Sequence, residues 1–190
     1  MKSNLKYLQL FEDRLESIKR LVKLGLTDWP QELIDYLSGP MTDDLDLRDT
    51  GVKTLPAGLR VGDDLYLSRT EIRELPPGLE VVGDLLLSLT PIEALPADLQ
   101  VGGSLYLSES QIRELPSGLR IGKNLDLSLT GIRELPTGLT VGRNLYIGHT
   151  PIRELPADLV VGGDLYLNDT SIETLPDDLS VGGKIIGFRE

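Results

Sequence analysis

Apolar side chains return along most of this chain with a period of twenty residues. Aligned on Leu-Pro, the units start at residues 55, 75, 95, 115, 135, 155 and 175, and they share the form L-P-x-G-L-x-V-G-G-x-L-x-L-x-x-T-x-I-x-x. The seven units follow one another without an insertion or deletion, and a partial unit covers residues 45–54. A unit this short cannot bury an apolar face alone, so the period predicts a solenoid in which each turn packs on the next.

Each unit contains one segment with the alternation of a strand. In Leu65-Tyr66-Leu67 and its equivalents the two outer residues are aliphatic and the middle residue varies, which predicts a strand with its leucines inward. Successive strands should form a parallel ladder. Pro76 and its equivalents have no N–H, so the Leu-Pro side should be extended without a ladder, and the coil should curve.

Two further columns of equivalent residues predict details of the turn. Three residues beyond each strand lies a column of hydroxyl side chains, Thr50, Thr70, Thr90, Ser110, Thr130, Thr150 and Thr170. We expect these hydroxyls to be internal and to bond backbone groups where the chain leaves the strand. The corner column, Gly58, Gly78, Asp98, Gly118, Gly138, Asp158 and Asp178, contains residue types that tolerate a positive φ, so it predicts left-handed backbone at the corner.

Residues 1–40 differ from the repeat and predict a helical N-terminal cap, followed by the solenoid over residues 41–190. Apolar residues spaced by three and four predict an amphipathic helix that ends at Gly25; they are Leu5, Leu8, Phe11, Leu15, Ile18 and Val22. The segment TDWPQELIDYLSGP predicts a second helix, with Asp28 as N-cap, Pro30 in its first turn, and Trp29 packed against the first coil.

At the other end, Phe188 is expected to fold over the last layer. Lys184 and Arg189 should oppose pairing of the exposed strand edge. We therefore expect a monomer, and a dimer joined through this edge is the alternative.

The run L-x-L-x-x-T-x-I-x-x-L-P resembles the leucine-rich repeat, whose shared core is L-x-L-x-x-N-x-L-x-x-L-P. The twenty-residue length and the Leu-Pro opening are similar to the short bacterial subtype found in secreted effector proteins. The resemblance covers residues 45–186 and implies a curved α/β solenoid, in which most of the regular structure is β. It also implies parallel strands on the concave face and a protein partner held there. Two departures are the threonine in place of asparagine and the stretch RVGDD, which is longer than in that subtype. A more even-sided β-helix is the alternative architecture.

The charge of the chain narrows the kind of partner. The formal net charge is −11, from 19 basic and 30 acidic side chains, and residues 1–40 hold six of each, so the solenoid carries the excess. Such a surface argues against nucleic acid and anionic membranes, and a partner steered by charge would be basic. The first twenty residues lack the apolar stretch of a secretory signal, so we expect a cytoplasmic protein or one exported without a cleavable signal peptide.

Candidate contact residues lie in two neighbouring columns. The outward strand column contains four of the six tyrosines, and the column beyond it is the most diverse in the repeat. Tyrosine brings rigid area with a polar tip, which suits recognition, although β-sheets also favour tyrosine for packing. The predicted partner-binding residues are Tyr66, Leu86, Tyr106, Asp126, Tyr146 and Tyr166 of the strand column, and Arg69, Leu89, Leu129 and His149 of its neighbour. Leu86, Leu89 and Leu129 should be exposed and near one another.

Other candidate chemistry is weaker. Asp44, Asp64 and Asp84 occupy one position on adjacent turns, where turn aspartates bonding their own backbone are a simpler interpretation than a cation site. There is no cysteine, a single histidine, and no phosphate-binding glycine loop, so we predict no catalytic residue, metal or cofactor.

The sequence therefore predicts a non-enzymatic module that binds a protein through its strand face, and the resemblance implies a bacterial protein. Two alternatives stay open. One is a structural or self-assembling solenoid, because the repeat is so regular. The other is a β-helix enzyme acting on a polysaccharide, which would need clustered carboxylates across a cleft.

Overall fold

The computed structural model describes residues 16–25 and 29–188, and within them the chain forms a solenoid with two parallel sheets. Each complete turn contributes one two-residue strand to each sheet. The larger sheet contains β1 (Leu45–Asp46), β3 (Leu65–Tyr66), β5 (Leu85–Leu86), β7 (Leu105–Tyr106), β9 (Leu125–Asp126), β11 (Leu145–Tyr146), β13 (Leu165–Tyr166) and β15 (Ile185–Ile186). The smaller sheet contains β2 (Arg60–Val61), β4 (Glu80–Val81), β6 (Gln100–Val101), β8 (Arg120–Ile121), β10 (Thr140–Val141), β12 (Val160–Val161) and β14 (Ser180–Val181).

Equivalent residues of successive turns are direct neighbours, which confirms the solenoid. Leu65 pairs with Leu85, and Leu85 pairs with Leu105, in parallel register. These leucines, together with the second leucine of each strand and the isoleucine after the hydroxyl column, have no exposed surface in the central turns. Each such side chain contributes about 1.5–3 kcal/mol by burial, before conformational entropy is subtracted.

The smaller sheet is a feature that the sequence pattern did not predict. It forms from the stretch RVGDD, whose valine points inward as Val61 while the preceding Arg60 is exposed. The glycine that follows permits close approach of two turns, because a Cβ built at Gly102 would overlap the carbonyl oxygen of Val82. The Leu-Pro segments contain no strand, as the missing proline N–H predicts.

The hydroxyl column is internal, as predicted, but its bonds stay within one turn. Thr70 is 4% exposed, and its Oγ1 donates to the carbonyl of Leu67 at 2.7 Å. Thr90 and Thr130 donate in the same way to residues 87 and 127. The hydroxyls therefore satisfy the carbonyl where the chain leaves the strand, and they do not link neighbouring turns.

A different column links the turns through side chains. The Oδ1 atoms of Asp64 and Asp84 accept the backbone N–H of the equivalent residue of the next turn, each at 2.7 Å. Asn144 and Asp164 continue this side-chain ladder at 2.8 Å. The prediction that these aspartates bond their own backbone was wrong, because the N–H of the next turn lies directly beside each carboxylate.

The corner column divides into two kinds of turn. Gly58, Gly78, Gly118 and Gly138 have φ between 67° and 73°, as predicted. Asp98 and Asp158 do not have a positive φ, so the prediction for the aspartates was wrong. Instead Leu99 N–H closes the Asp98 turn on the Pro96 carbonyl at 3.2 Å, and the Asp98 carboxylate accepts the N–H of Gly78 at 2.8 Å. An aspartate with this inter-turn bond replaces a glycine with left-handed backbone.

Two helices cover the start of the solenoid. Residues 16–23 are helical (α1), and Gly25 ends this segment with φ 62°, as predicted. The second helix, α2 (Gln31–Ser38), packs on β1 and buries Leu33 and Leu37. Pro30 is its N-cap residue rather than part of its first turn.

At each end of the solenoid an aromatic side chain packs against the core, as predicted. Trp29 and Phe188 are partly buried and pack against the core. The Tyr36 hydroxyl accepts Gly62 N–H at 3.1 Å, which ties α2 to the first turn. The predicted Asp28 cap, the first-helix residues Leu5, Leu8, Phe11 and Leu15, and Arg189 lie outside the described residues.

Ser110 is the only serine in a hydroxyl column that otherwise contains threonine. Its buried Oγ has no hydrogen-bond partner, unlike Thr90 and Thr130 on the adjacent turns. Replacing Ser110 with Thr adds a methyl group, which restricts χ1 and favours the bond to Leu107. We expect Ser110→Thr to stabilise the chain by about 1 kcal/mol in urea denaturation. Thr130→Ser is the matched control and should destabilise it. A Ser110→Thr variant less stable than the parent would contradict this account.

Candidate functional site

The outward side of the larger sheet brings the predicted strand residues into one row. Tyr66, Leu86, Tyr106 and Asp126 are register partners in that order, and the row continues through residues 146, 166 and 186. From Tyr66 to Ile186 the row is half-buried, and Asp46 at its start is exposed. We call this row, with the neighbouring column from Arg69 to Asp169, the tyrosine face.

Most tyrosines of this face are held by neighbouring groups. The Tyr66 hydroxyl donates to Asp64 at 3.1 Å, and the Tyr146 hydroxyl accepts from Asn144 Nδ2 at 3.0 Å. The rings of Tyr146 and Tyr166 stack with centroids 4.5 Å apart. The residues that anchor these hydroxyls belong to the side-chain ladder. Contacts within the chain therefore hold the rings of Tyr66, Tyr146 and Tyr166 in place.

The electrostatics of the tyrosine face vary along the row. The hydrogen bond to the Asp64 carboxylate raises the pKa of Tyr66, with a smaller contribution from partial burial. Partial burial, followed by the neighbouring Tyr146 and Asp164, raises the pKa of Tyr166. Both hydroxyls therefore stay protonated at neutral pH and can donate a hydrogen bond.

The column beside the row has strained backbone that the sequence did not reveal. Arg69, Leu89, Glu109, Leu129, His149 and Asp169 all have φ between 55° and 60°. Residue 69 is the third residue of a turn that Thr70 N–H closes on the Leu67 carbonyl, where glycine or asparagine is expected. From Arg69 to His149, the N–H of each column residue bonds a carbonyl of the next turn, as in Leu129 to Gly148 at 3.0 Å. The ladder thus imposes a left-handed conformation on side chains that disfavour it.

The three leucines of the face do not form one continuous patch. Leu89 and Leu129 are 44% and 54% exposed, whereas Leu86 is half-buried in its strand. Leu86 and Leu89 belong to one turn, and Leu129 lies two turns further along, beyond Glu109. The structure therefore presents Leu86, Leu89 and Tyr106 together and separates Leu129 from them.

Charged residues of the same column form weak pairs along the coil. Arg69 lies 3.5 Å from Asp49, and His149 Nε2 lies 3.5 Å from Asp169. All four side chains are more than half exposed, so water and salt weaken these pairs. Such side chains are available to contact a partner.

The acidic column does not develop into a distinct chemical centre. Asp44, Asp63 and Asp64 bring carboxylate oxygens within 4.8 Å of one another. However, Asp44 and Asp64 each use one oxygen to accept the N–H of the next turn.

None of the helical segments in the described part of the chain is both long and apolar enough to cross a membrane.

Comparison with known proteins identifies the fold. No family model matches the chain, and no curated protein matches it by sequence. Among solved structures it is similar to YopM, a leucine-rich effector protein from Yersinia pestis, with a TM-score of 0.51 and 16% sequence identity. The match covers 94% of this chain and 60% of YopM, so the chain spans less than two thirds of that protein. The chain therefore has the leucine-rich-repeat solenoid fold with a helical cap.

An ion pair between Arg48 and Asp46 lies at the N-terminal end of the tyrosine face. The Arg48 guanidinium donates to both oxygens of Asp46, at 2.9 and 2.6 Å, and lies 4.7 Å from the centre of the Tyr66 ring. These hydrogen bonds lower the pKa of Asp46. A lowered pKa in the folded state stabilises the fold above the unfolded-state pKa, and this contribution is lost as pH falls through the folded-state pKa.

Arg48→Ala should raise the pKa of Asp46 toward its ordinary value, measured by NMR titration of the side-chain carboxyl. The effect on stability should be small, because both side chains are about half exposed. Arg69→Ala removes a cation from the adjacent turn and should leave the Asp46 titration unchanged. An unaltered Asp46 pKa in Arg48→Ala would show that the pair does not persist in solution.

Proposed function

We propose that this chain is a non-enzymatic recognition module that binds a partner protein through the tyrosine face. The observation that carries the proposal is the row of tyrosines, in which the hydroxyls of Tyr66, Tyr146 and Tyr166 bond residues of the side-chain ladder. Aromatic side chains with a polar tip dominate protein interfaces when they are fixed in advance. A leucine-rich-repeat fold supports a protein-interaction role at the level of the whole molecule.

The strained turn column supports the same proposal. A left-handed conformation costs roughly 1–2 kcal/mol for a residue other than glycine. Asparagine or glycine would lower that cost at every turn, yet the chain carries Leu89 and Leu129 there, exposed to solvent. Side chains that fit neither the backbone nor the core suggest a role in contact with another molecule.

The charge on the face favours a partner with basic groups. The row and its neighbouring column contain Asp46, Asp126, Glu109 and Asp169 against Arg69 and a single histidine. The net charge of −11 adds long-range attraction for a cation-rich surface, and this attraction weakens with salt. The partner that we propose is therefore a protein with a basic contact surface, and a monomer presents the complete face to it.

Removing tyrosine rings tests the proposal. Proteins captured from a native lysate by the parent chain, and not by Tyr106→Ala/Tyr146→Ala, are identified by mass spectrometry, and their affinities are then measured. We expect each substitution to weaken binding by about tenfold or more, because a central aromatic contact is worth more than about 1.4 kcal/mol.

Tyr106→Phe is the conservative control, since it keeps the ring and should retain most of the affinity. Thr140→Ala, on the smaller sheet, should bind like the parent chain. Equal capture by the parent and the double variant, with unchanged unfolding midpoints, would reject the tyrosine face as the contact surface.

Replacing a leucine in the strained column should change partner binding and the free energy of unfolding in opposite directions. Leu129→Asn should raise the free energy of unfolding by about 0.5–1 kcal/mol, because asparagine tolerates positive φ. The same change should weaken partner binding, since it removes an exposed apolar contact. Glu109→Asn relieves the same strain without removing a leucine, so it should stabilise the chain and leave apolar contacts intact. Loss of stability in both variants would contradict the strain argument.

A further inference from the structure

The smaller sheet is interrupted between β6 and β8. Every other neighbouring pair of its strands has two register pairs, whereas β6 and β8 share only Val101 with Ile121. Gln100 N–H and Thr140 N–H donate to the Leu79 and Leu119 carbonyls at 3.2 and 3.1 Å, whereas Arg120 N–H makes no such bond to Leu99. Ser180 N–H also makes no such bond, although β12 and β14 keep both register pairs. Within residues 29–188, Arg120 N–H and the Leu99 carbonyl are therefore left without a hydrogen-bond partner.

The corner column explains why the interruption occurs here. Where two glycine turns follow each other, they stack closely: a Cβ on Gly138 would lie 3.5 Å from the Gly118 Cα. Where an aspartate turn follows a glycine turn, the aspartate side chain bonds the glycine N–H, as Asp98 does with Gly78. The step from Asp98 to Gly118 has neither arrangement, and a Cβ on Gly118 would have no neighbour within 4 Å. Two dissimilar turns thus stand apart at this step.

An opening with an apolar floor results. Its volume is about 600 Å³, and its floor includes Leu99 and Val101. These side chains are 9% and 6% exposed, whereas the equivalent Leu139 and Val141 are fully buried. Val82, which is 47% exposed, forms part of the wall. A ligand that places an aliphatic group here would cover core surface that the interruption uncovers.

The charges around the opening favour an anion. Its lining contains Arg60, Arg120 and one carboxylate, Glu80, and Arg60 lies 3.4 Å from Glu80. Arg120 makes no ion pair with any described residue. A chain with a net charge of −11 repels anions in general, so this local excess of arginine is distinctive.

We propose that this opening binds the carboxyl-terminal residue of another polypeptide, with Val, Leu or Ile as that residue. The terminal carboxylate accepts hydrogen bonds from the Arg120 N–H and guanidinium, and the aliphatic side chain covers Leu99 and Val101. The peptide N–H donates to the Leu99 carbonyl. A free fatty carboxylate has no donor for that carbonyl, so the unpaired acceptor favours a peptide. The site lies on the smaller sheet and does not depend on the tyrosine face.

The probe is a fluorescein-labelled tetrapeptide of sequence Gly-Ser-Thr-Val with a free carboxyl terminus, followed by fluorescence anisotropy. We expect saturable binding, and binding at least about tenfold weaker for the same peptide with an amidated terminus. Octanoate added as a competitor distinguishes a peptide carboxyl terminus from a free fatty carboxylate. Displacement of the peptide by octanoate at an equal concentration would overturn the choice of a peptide, and failure of the free-acid peptide to bind would overturn the site.

Two matched variants test the origin of the opening. Asp98→Gly permits a glycine turn that stacks on Gly118, which should close the opening and abolish peptide binding. Asp158→Gly removes an equivalent bond, from Gly138 N–H at 2.8 Å, at a step without an opening, so it should bind like the parent chain. Peptide affinity unchanged in Asp98→Gly would overturn the proposal.

Arg120→Gln provides a second test that does not alter the turn. It should weaken binding of the free-acid peptide about tenfold and have little effect on the amidated peptide. Equal losses for both peptides would show that Arg120 does not bind the carboxylate. Unfolding midpoints of all variants, measured alongside, establish that the solenoid is intact.

Discussion

The close approach of successive backbones is the constraint on which the whole molecule depends. Parallel strands lie about 4.8 Å apart, and this solenoid brings strands of successive turns side by side in two sheets. On the segment between the two strands of a turn, a Cβ at positions 102, 142 and 162 would overlap a carbonyl oxygen of the preceding turn. Glycine, which has no Cβ, therefore occupies these positions. The same spacing places a carboxylate or carboxamide beside the N–H of the next turn, which explains Asp64, Asp84 and Asn144. Proline occurs only where no ladder runs.

The sequence predicted those parts of the fold that appear as one residue type at one position. The buried leucines, the internal hydroxyls and the unladdered Leu-Pro side all follow from a side chain that suits one environment. The smaller sheet was missed because a two-residue strand such as Arg60–Val61 is too short to show alternation. The left-handed turns at residues 69 to 169 were missed for a different reason. From residue 69 to residue 149 the N–H of each such residue bonds the next turn, and the side chains present there do not signal this conformation.

The candidate contact residues were only partly predictable. Register alone placed Tyr66, Leu86 and Tyr106 in one row, because a twenty-residue period makes equivalent positions neighbours. What a period cannot give is the position of a side chain around the turn. Leu86 is half-buried in a strand and Leu89 projects from a strained turn of the same coil, although both are leucines in variable columns. The separation of Leu129 from Leu86 and Leu89 therefore depends on the geometry of the turns, which the sequence does not show.

The corner column shows how a regular array acquires a local feature. Each turn contacts only its neighbours, so a change in one turn affects two junctions and leaves the rest of the coil intact. Asp98 and Asp158 each bond the glycine turn before them, and a glycine turn comes after only Asp98. Asp98 is followed by Gly118, while Asp158 is followed by Asp178, and the opening lies at the first of these steps. The order of glycine and aspartate along one column thus determines where the smaller sheet opens, while the tyrosine face on the other sheet keeps its own register.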